Sequence, residues 1–333
     1  MFMGCDISQD DFTFCLRNQA GIISQGKVVN SATAISKWLD QLKKVEKYDL
    51  EKIVFCMEHT GIYGYFLMRI LHKRSLMICV ESAMHIKSSL GMQRGKNDKV
   101  DAQRIAEYAM RFTDRLKCWQ PKRDVLEKLQ LLNGARSRMV KVRTILSRHT
   151  VDVNHYMGDA FGETLELCQE STIKAIKRDI EGIDKQIELL IKSDENLERL
   201  SRYITSVKGI GIVTCAALLV RTNEFKDYTD HKKFACSVGI VPFEHTSGKS
   251  VKGKSRVSPK AHKDTKTLLH MCAVSCISRP GELKDYYDRK VSEGKNKMAV
   301  LNAIRNKLVS RVFAVVKNQV MYQENYQYHL QES

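Results

Sequence analysis

The chain has 333 residues, 43% of them hydrophobic and 28% charged, which is long enough for two or three modest cores and excludes disorder as the default state. Lysine and arginine number 55 against 38 acids, and the formal charge of +17 favours a polyanionic partner, nucleic acid first. No apolar run approaches the roughly 20 residues that span a bilayer, Met1 to Asp6 lacks a secretion-signal pattern, and ten cysteines without C-x-x-C or zinc-like spacing read as small buried side chains in a reducing cytoplasm, with no membrane partner.

Taken in chain order, Met1 to Ile7, Asp11 to Arg17 and Gly21 to Val29 read as three strands joined by polar or glycine-containing turns. Residues 32–46 have helical spacing through Ala34, Trp38, Leu42 and Val45. Lys52 to Met57 is a short apolar strand, Tyr63 to Lys73 a helix, Leu76 to Val80 a strand, and Asp98 to Phe112 a helix. Three strands followed by alternating helix and strand predict a mixed α/β sheet covered by helices, the ribonuclease H-like order, over residues 1–120.

Pro121 punctuates the chain. A long helix follows, with Val125, Leu129, Leu132, Met139 and Leu146 on one side and Arg136 and Arg143 interrupting that seam. After a break near Gly158 to Gly162, Ile173, Ile176, Ile180, Ile183, Ile187 and Leu190 alternate at three and four residues. Residues 121–200 are therefore expected to be a helical coiled-coil segment, either a hairpin within the chain or a dimer seam, with plain amphipathic packing as the alternative.

Residues 201–333 are expected to form a mainly helical C-terminal domain, and they hold 23 basic and 11 acidic side chains, +12 of the +17. Ser206-Val-Lys-Gly-Ile-Gly-Ile-Val has the form of a helix-hairpin-helix turn, in which Gly209 and Gly211 would leave amides free for phosphate beside Lys208; a simple tight turn between helices fits equally. His245 to Lys263 contains six lysines or arginines and no acid, so Lys249, Lys252, Lys254, Arg256 and Lys260 are candidate phosphate contacts on an extended or mobile loop. Helices resume over Lys266 to Ser278 and Met298 to Gln319, while Cys272 and Cys276, four apart, suit one helix face better than a metal site.

Four carboxylates stand out. Asp6 and Glu58 lie at the ends of apolar strands, where an acid is costly unless it pairs, binds metal or reaches the sheet edge. Asp98 and Asp101 project three residues apart from the start of a helix. Singly, each has an ordinary explanation: Asp98 as an N-cap, Asp101 favouring the helix dipole, Asp6 and Glu58 as polar strand ends. Together in a basic chain they could cage a hard divalent cation, Mg²⁺ or also Mn²⁺, and paired ions of that kind serve phosphoryl transfer.

Gly4-Cys-Asp-Ile-Ser, Met57-Glu-His-Thr-Gly-Ile-Tyr and Lys96-Asn-Asp-Lys-Val-Asp-Ala-Gln-Arg-Ile-Ala resemble the DEDD motif set of the insertion-sequence transposases that include the pilin-gene invertases. The resemblance continues through Ser206-Val-Lys-Gly-Ile-Gly, Val238-Gly-Ile-Val-Pro and Thr246-Ser-Gly-Lys-Ser to Asn302-Ala-Ile-Arg-Asn-Lys-Leu, most of the chain. It implies a RuvC-like domain whose Asp6, Glu58, Asp98 and Asp101 hold the metal, and a C-terminal transposase domain whose Ser-Gly motif makes Ser247 the nucleophile. Ser250, Ser255 and Ser258 share the loop, and chemistry alone leaves all four serines open, or assigns them only to phosphate contact. The resemblance further implies donor and target DNA as substrates, a noncoding guide RNA of the kind used by bridge recombinases, and a homo-oligomer, dimer or tetramer, in which one subunit's acids meet another's serine.

The competing readings are a metal-dependent endonuclease or Holliday-junction resolvase using water, an actin-like ATPase and a non-catalytic nucleic-acid-binding protein. The ATPase needs a glycine-rich phosphate loop, and no G-x-x-x-x-G-K-[ST] occurs.

Overall fold

In the first strand Met3, Cys5 and Ile7 alternate with Gly4 and Asp6, so a pleated backbone sends the former to one face and the latter to the other. In the computed structural model, which describes residues 1–44, 48–91, 97–241, 243–247, 251–256 and 261–324, this strand is β1 (Phe2–Ile7). It pairs antiparallel with β2 (Asp11–Asn18), which pairs antiparallel with β3 (Gly21–Val29). On its other side β1 runs parallel to β4 (Val54–Glu58), and β4 parallel to β5 (Ile78–Glu81), giving the order β3-β2-β1-β4-β5. A mixed sheet of this order, followed by mostly helical chain, is compatible with a RuvC-like fold.

One face of the sheet is apolar. Met3, Cys5, Phe12, Phe14, Leu16, Phe55 and Met57 pack against Ile35, Trp38, Leu39 and Leu42 of α1 (Ala32–Lys44) and Leu67 and Leu71 of α2 (Tyr65–Lys73). Trp38 is the centre of this layer, its ring 5.3 Å from Phe12 and 5.1 Å from Phe14. The opposite face carries α3 (Ala83–Ser89), a helix the spacing did not suggest, and α4 (Asp98–Arg111). Strand limits differ slightly from expectation: Lys52 belongs to a short 3-10 turn, and β5 extends to Glu81.

Met1–Pro121 is one compact unit and Lys122–Ser333 a second. The second opens with two 34-residue helices, α5 (Asp124–Met157) and α6 (Asp159–Lys192), that meet at Gly158 and pack along each other. The isoleucine series faces inward, with Ile176, Ile180 and Ile187 buried and Ile173, Ile183 and Leu190 half-buried. Arg136, which interrupts the seam of α5, is held by a forked pair to Asp184 of α6, Nε to Oδ1 at 2.5 Å and Nη2 to Oδ2 at 3.2 Å.

Beyond these come α7 (Glu195–Ser206), α8 (Ile212–Thr222), α9 (His231–Ser237), α10 (Lys263–Ile277), α11 (Glu282–Ser292) and α12 (Lys297–Asn318). Their core includes Leu219, Phe234, Leu269, Ile304, Leu308 and Val312, and it continues into Leu126, Leu129, Ile187 and Ile191 of α5 and α6. Between α9 and α10 the expected loop contains an antiparallel hairpin of β6 (Phe243–Ser247) and β7 (Val251–Arg256). The extended part of that expectation holds, but the backbone is paired. Among the described residues no helix is long and apolar enough to cross a membrane.

An ion cluster around the buried Glu224 ties the start of α5 to the start of α7 and the end of α8. Asn223, Glu224 and Phe225 all have positive φ, 51°, 57° and 64°, a conformation that costs about 1–2 kcal/mol per non-glycine residue. It sends the Glu224 carboxylate, 1% exposed, inward to Arg123, Lys226 and Asn196, while Arg123 also grips Asp194 at 2.8 and 2.9 Å. Burial pushes Glu224 toward neutrality, but its three donors outweigh burial and hold its pKa below the ordinary carboxylate value; Asp194 is lowered chiefly by Arg123.

Both groups therefore stabilise the fold above the carboxylate range, and this contribution is lost as the pH falls through their depressed folded values. Arg123→Met is expected to cost about 2 kcal/mol at neutral pH, less than the about 3–5 kcal/mol of a fully buried pair because Lys226 and Asn196 stay bonded to Glu224. Urea unfolding of wild type and variant should show that difference narrowing below about pH 4. A pH-independent difference would show that the cluster does not act through charge.

Candidate functional site

The face of the sheet under α4 is built in two rows. The inner row is small: Gly4 of β1 stands beside Cys15 of β2 and Cys56 of β4, and Cys56 beside Cys79 of β5. A Cβ on Gly4 would lie 2.2 Å from the Ala102 carbonyl oxygen and 2.3 Å from the Ala106 nitrogen, so α4 rests directly on the strand backbone there. Cys15, Ala102 and Ala106 close the contact on one side, and Cys56, Cys79, Ile105, Tyr108 and Ala109 on the other.

Two residues further along each strand, toward the carboxyl end of β1, β4 and β5, the same face becomes polar. Asp6 pairs with Thr13, and Thr13 with Lys27. Glu58 is one step beyond the last β1–β4 pair, Cys5 with Met57, which makes it the neighbour of Asp6 on a strand about 4.8 Å away. Glu58 pairs in turn with Glu81. The row thus reads Lys27, Thr13, Asp6, Glu58, Glu81 across the sheet.

Helix α4 begins over this row. Its N-cap is Asn97, whose side chain accepts from the Val100 amide at 2.8 Å; the ordinary N-cap explanation for Asp98 is thereby corrected. Asp98 and Asp101 lie in the first turn, where the helix dipole favours acids. Asp98 approaches Lys27 at 3.6 Å, and Asp101 accepts from Arg104 at 2.8 Å. Lys27 also bonds Asp11, and that bond first, with Asp98 adding to it, raises the lysine pKa.

Asp6 and Glu58 are half-buried, as is Asp101, and Asp98 is exposed. Carboxylate oxygens are the donors a hard divalent cation takes, and the four acids lie on the row and on the helix end above it, so the donor set fits such an ion. Among the described residues no three His, Cys, Asp or Glu side chains converge into a metal-binding group; Asp98 and Asp101 instead face Lys27 and Arg104, which they would exchange for the ion.

Two charged members of the row were missed from sequence. Glu81, 3.7 Å from His85, ends β5 as Glu58 ends β4, and the repeated pattern Gly4-x-Asp6, Cys56-x-Glu58, Cys79-x-Glu81, a small residue two before an acid, could have revealed it. Lys27 had no such signal, because its place depends on the β2–β3 register.

In the second unit Ser247 ends β6 and pairs with Val251, while Lys252, Lys254 and Arg256 occupy alternate positions of β7. Lys249, Ser250, Ser258 and Lys260 lie outside the described residues. The hairpin's stem is tied at both ends: Asn302 and Asn306 of α12 donate to the Ile240 carbonyl at 2.6 and 2.9 Å, and the His262 amide donates to the Ser237 carbonyl at 3.1 Å.

The turn between α7 and α8 faces α10. Gly209 has φ of +91°, and a Cβ there would meet Cys276 Sγ at 2.2 Å, so packing explains this glycine. Cys276 bonds the Lys208 carbonyl, and the Gly211 amide is directed at Cys272, whose thiol is nevertheless raised in pKa by burial. Lys208 itself pairs with Glu324.

Comparison with known proteins decides what this arrangement belongs to. A transposase pattern of the DEDD, IS110 type matches residues 3–153, and the Transposase IS116/IS110/IS902 family pattern matches residues 201–288. The chain belongs to the IS110 family of transposases. It is 26% identical to the pilin gene-inverting proteins of Moraxella bovis and of Moraxella lacunata over 336 residues, covering 95% of each chain. It is also 24% identical to the transposase for insertion sequence element IS1111A of Coxiella burnetii over 271 residues, 74% of this chain and 70% of that one.

The transposase is accordingly a DNA recombination enzyme, and its family is one of divalent-metal dependence. In it, Gly4→Ala should move α4 off its seat and cost about 1–3 kcal/mol or more in denaturant unfolding, since an added methyl in a packed core is rarely accommodated. A stability unchanged within about 0.5 kcal/mol would mean that the helix does not rest on Gly4.

Proposed function

We propose that this transposase is the recombinase of an insertion sequence, cutting and exchanging strands of donor and target DNA with a metal held by Asp6, Glu58, Asp98 and Asp101 and with Ser247 as nucleophile. The observation that carries this reading is the neighbouring placement of Asp6 and Glu58 at the strand ends, with the first turn of α4 lying over the same row. When bound, Mg²⁺ or Mn²⁺ would polarise a phosphate and stabilise charge on the attacking and leaving oxygens.

The chain's own groups do the rest. The Ser247 hydroxyl gives its proton to solvent as its oxygen bonds to phosphorus, and the bond from phosphorus to one strand oxygen breaks, that oxygen taking up a proton to leave the strand end as a hydroxyl. One ester is exchanged for another, so the energy of the phosphodiester is kept in a protein-phosphoserine link and strands can be rejoined without ATP. Water in place of the serine would lose it. Lys252, Lys254 and Arg256 on β7, with Lys249, Lys260 and Lys208, supply charge for the DNA backbone; Lys208 would have to release Glu324.

A noncoding guide RNA is part of the proposal, as is assembly through α5 and α6, residues 121–200, so that one subunit's acids meet another's serine. The relatives named as gene-inverting protein and insertion-sequence transposase support a site-specific reaction on DNA.

Incubating the protein with labelled donor and target DNA, Mg²⁺ and RNA from the flanking element should give a covalent protein-DNA adduct on a denaturing gel. Ser247→Ala should abolish the adduct, and Asp6→Asn should lower its rate by about 10²-fold or more. DNA cleaved without adduct by both wild type and Ser247→Ala would instead assign the acids to a water-using nuclease.

A further inference from the structure

At the foot of the Ser247 hairpin, α10 and α12 carry three basic side chains that no carboxylate pairs with among the described residues. Arg305 of α12 is only 6% exposed, its Nε is buried without a hydrogen-bond partner, and among the described residues no carboxylate pairs with it. Lys266 and His270 stand one turn apart on α10, the helix packed against α12, and the His270 Nδ1 is likewise buried without a partner. Burial first, and then the Arg305 charge, lowers the pKa of both Lys266 and His270, so the guanidinium lies close to both side chains of the packed helix.

An isolated buried guanidinium is among the most costly groups a fold can hold, because it cannot shed its proton and keeps its desolvation penalty. Elsewhere in this unit Arg136 and Arg123 are both matched to carboxylates, which Arg305 is not. The acid closest in sequence to Lys266 and His270, Asp264, is turned to Lys141. The arrangement therefore lacks an anion that arrives from outside.

We propose that Arg305, Lys266 and His270 form a binding site for one backbone phosphate of nucleic acid. A phosphodiester matches the donors: a planar fork from arginine, a point charge from lysine and one N–H from a neutral imidazole. The position selects nucleic acid over a free anion. Asn302, Arg305 and Asn306 share one face of α12, and the two asparagines hold the Ile240 carbonyl at the hairpin's entry, while Lys266 lies in the first turn after its exit. A phosphate bound here would fix the strand relative to the hairpin stem. The inference rests on the reading of the chain as a DNA recombinase, and makes these three side chains positioning residues rather than reacting ones.

The test uses the full chain and two probes, inorganic phosphate and a short labelled DNA duplex. Phosphate at constant ionic strength should raise the melting temperature of wild type saturably, and the rise should vanish in Lys266→Gln and Arg305→Met. Lys266→Gln should bind the duplex about 3- to 10-fold more weakly, with the slope of log affinity against log salt reduced by about 1. Should Arg305→Met fail to fold, Lys266→Gln and His270→Gln carry the result. A phosphate response and a salt slope unchanged from wild type in both α10 variants overturns the site. Ser247→Ala separates this from the underlying mechanism: it should keep the phosphate response and salt slope while losing the adduct, so the two readings fail independently.

Discussion

The contact between α4 and the backbone of β1 at Gly4 is the constraint on which the first unit depends. A helix can approach a sheet this closely only where the strands offer small side chains, and Gly4, Cys15, Cys56 and Cys79 supply a row of them. The seat fixes the height of the helix, and thereby the position of its first turn over the strand ends. Asp98 and Asp101 are carried there by rigid elements, as are Asp6 and Glu58, and rigid elements hold groups more accurately than loops do. The cysteines are best understood in the same terms, as small apolar residues chosen for volume, with burial keeping Cys56 and Cys79 protonated.

The second unit solves a different problem. It is basic, and it must bury enough apolar surface to hold several helices while keeping charge outside. Its inward-turned charges are of two kinds. Arg123, Arg136 and Glu224 are matched within the fold and bind helices together. Arg305 has no such partner among the described residues, and its position by the hairpin stem separates it from the structural pairs.

Much of this was legible in the sequence where periodicity is strong. The three-strand meander, the isoleucine series of α6 and the apolar run of α12 declare themselves because one face is buried and the other is not. The acids at positions 6, 58, 98 and 101 could be picked out because Asp6 and Glu58 end apolar strands and Asp98 and Asp101 are spaced three apart at a helix start, and the DEDD resemblance tied them together. What escaped depended on tertiary placement. The short helices α3 and α9 carry too few turns for a pattern, Lys27 reaches Asp98 only through strand register, and the β6–β7 pairing was hidden behind a composition of lysine, glycine and serine that ordinarily marks a loop. Gly209 carried a double meaning: a glycine that suggested phosphate contact is required by the sulfur of Cys276.

The two ties at the stem of the β6–β7 hairpin make it a cassette. Because the Ile240 carbonyl and the His262 amide are anchored independently of what lies between them, the helical bundle does not register the length of the insert. Closing a longer loop on fixed ends costs little, about 0.6 kcal/mol per doubling. Lineages of this fold can therefore lengthen, shorten or exchange the serine-bearing arm without refolding the bundle, and the arm is free to diverge while its foundation stays fixed.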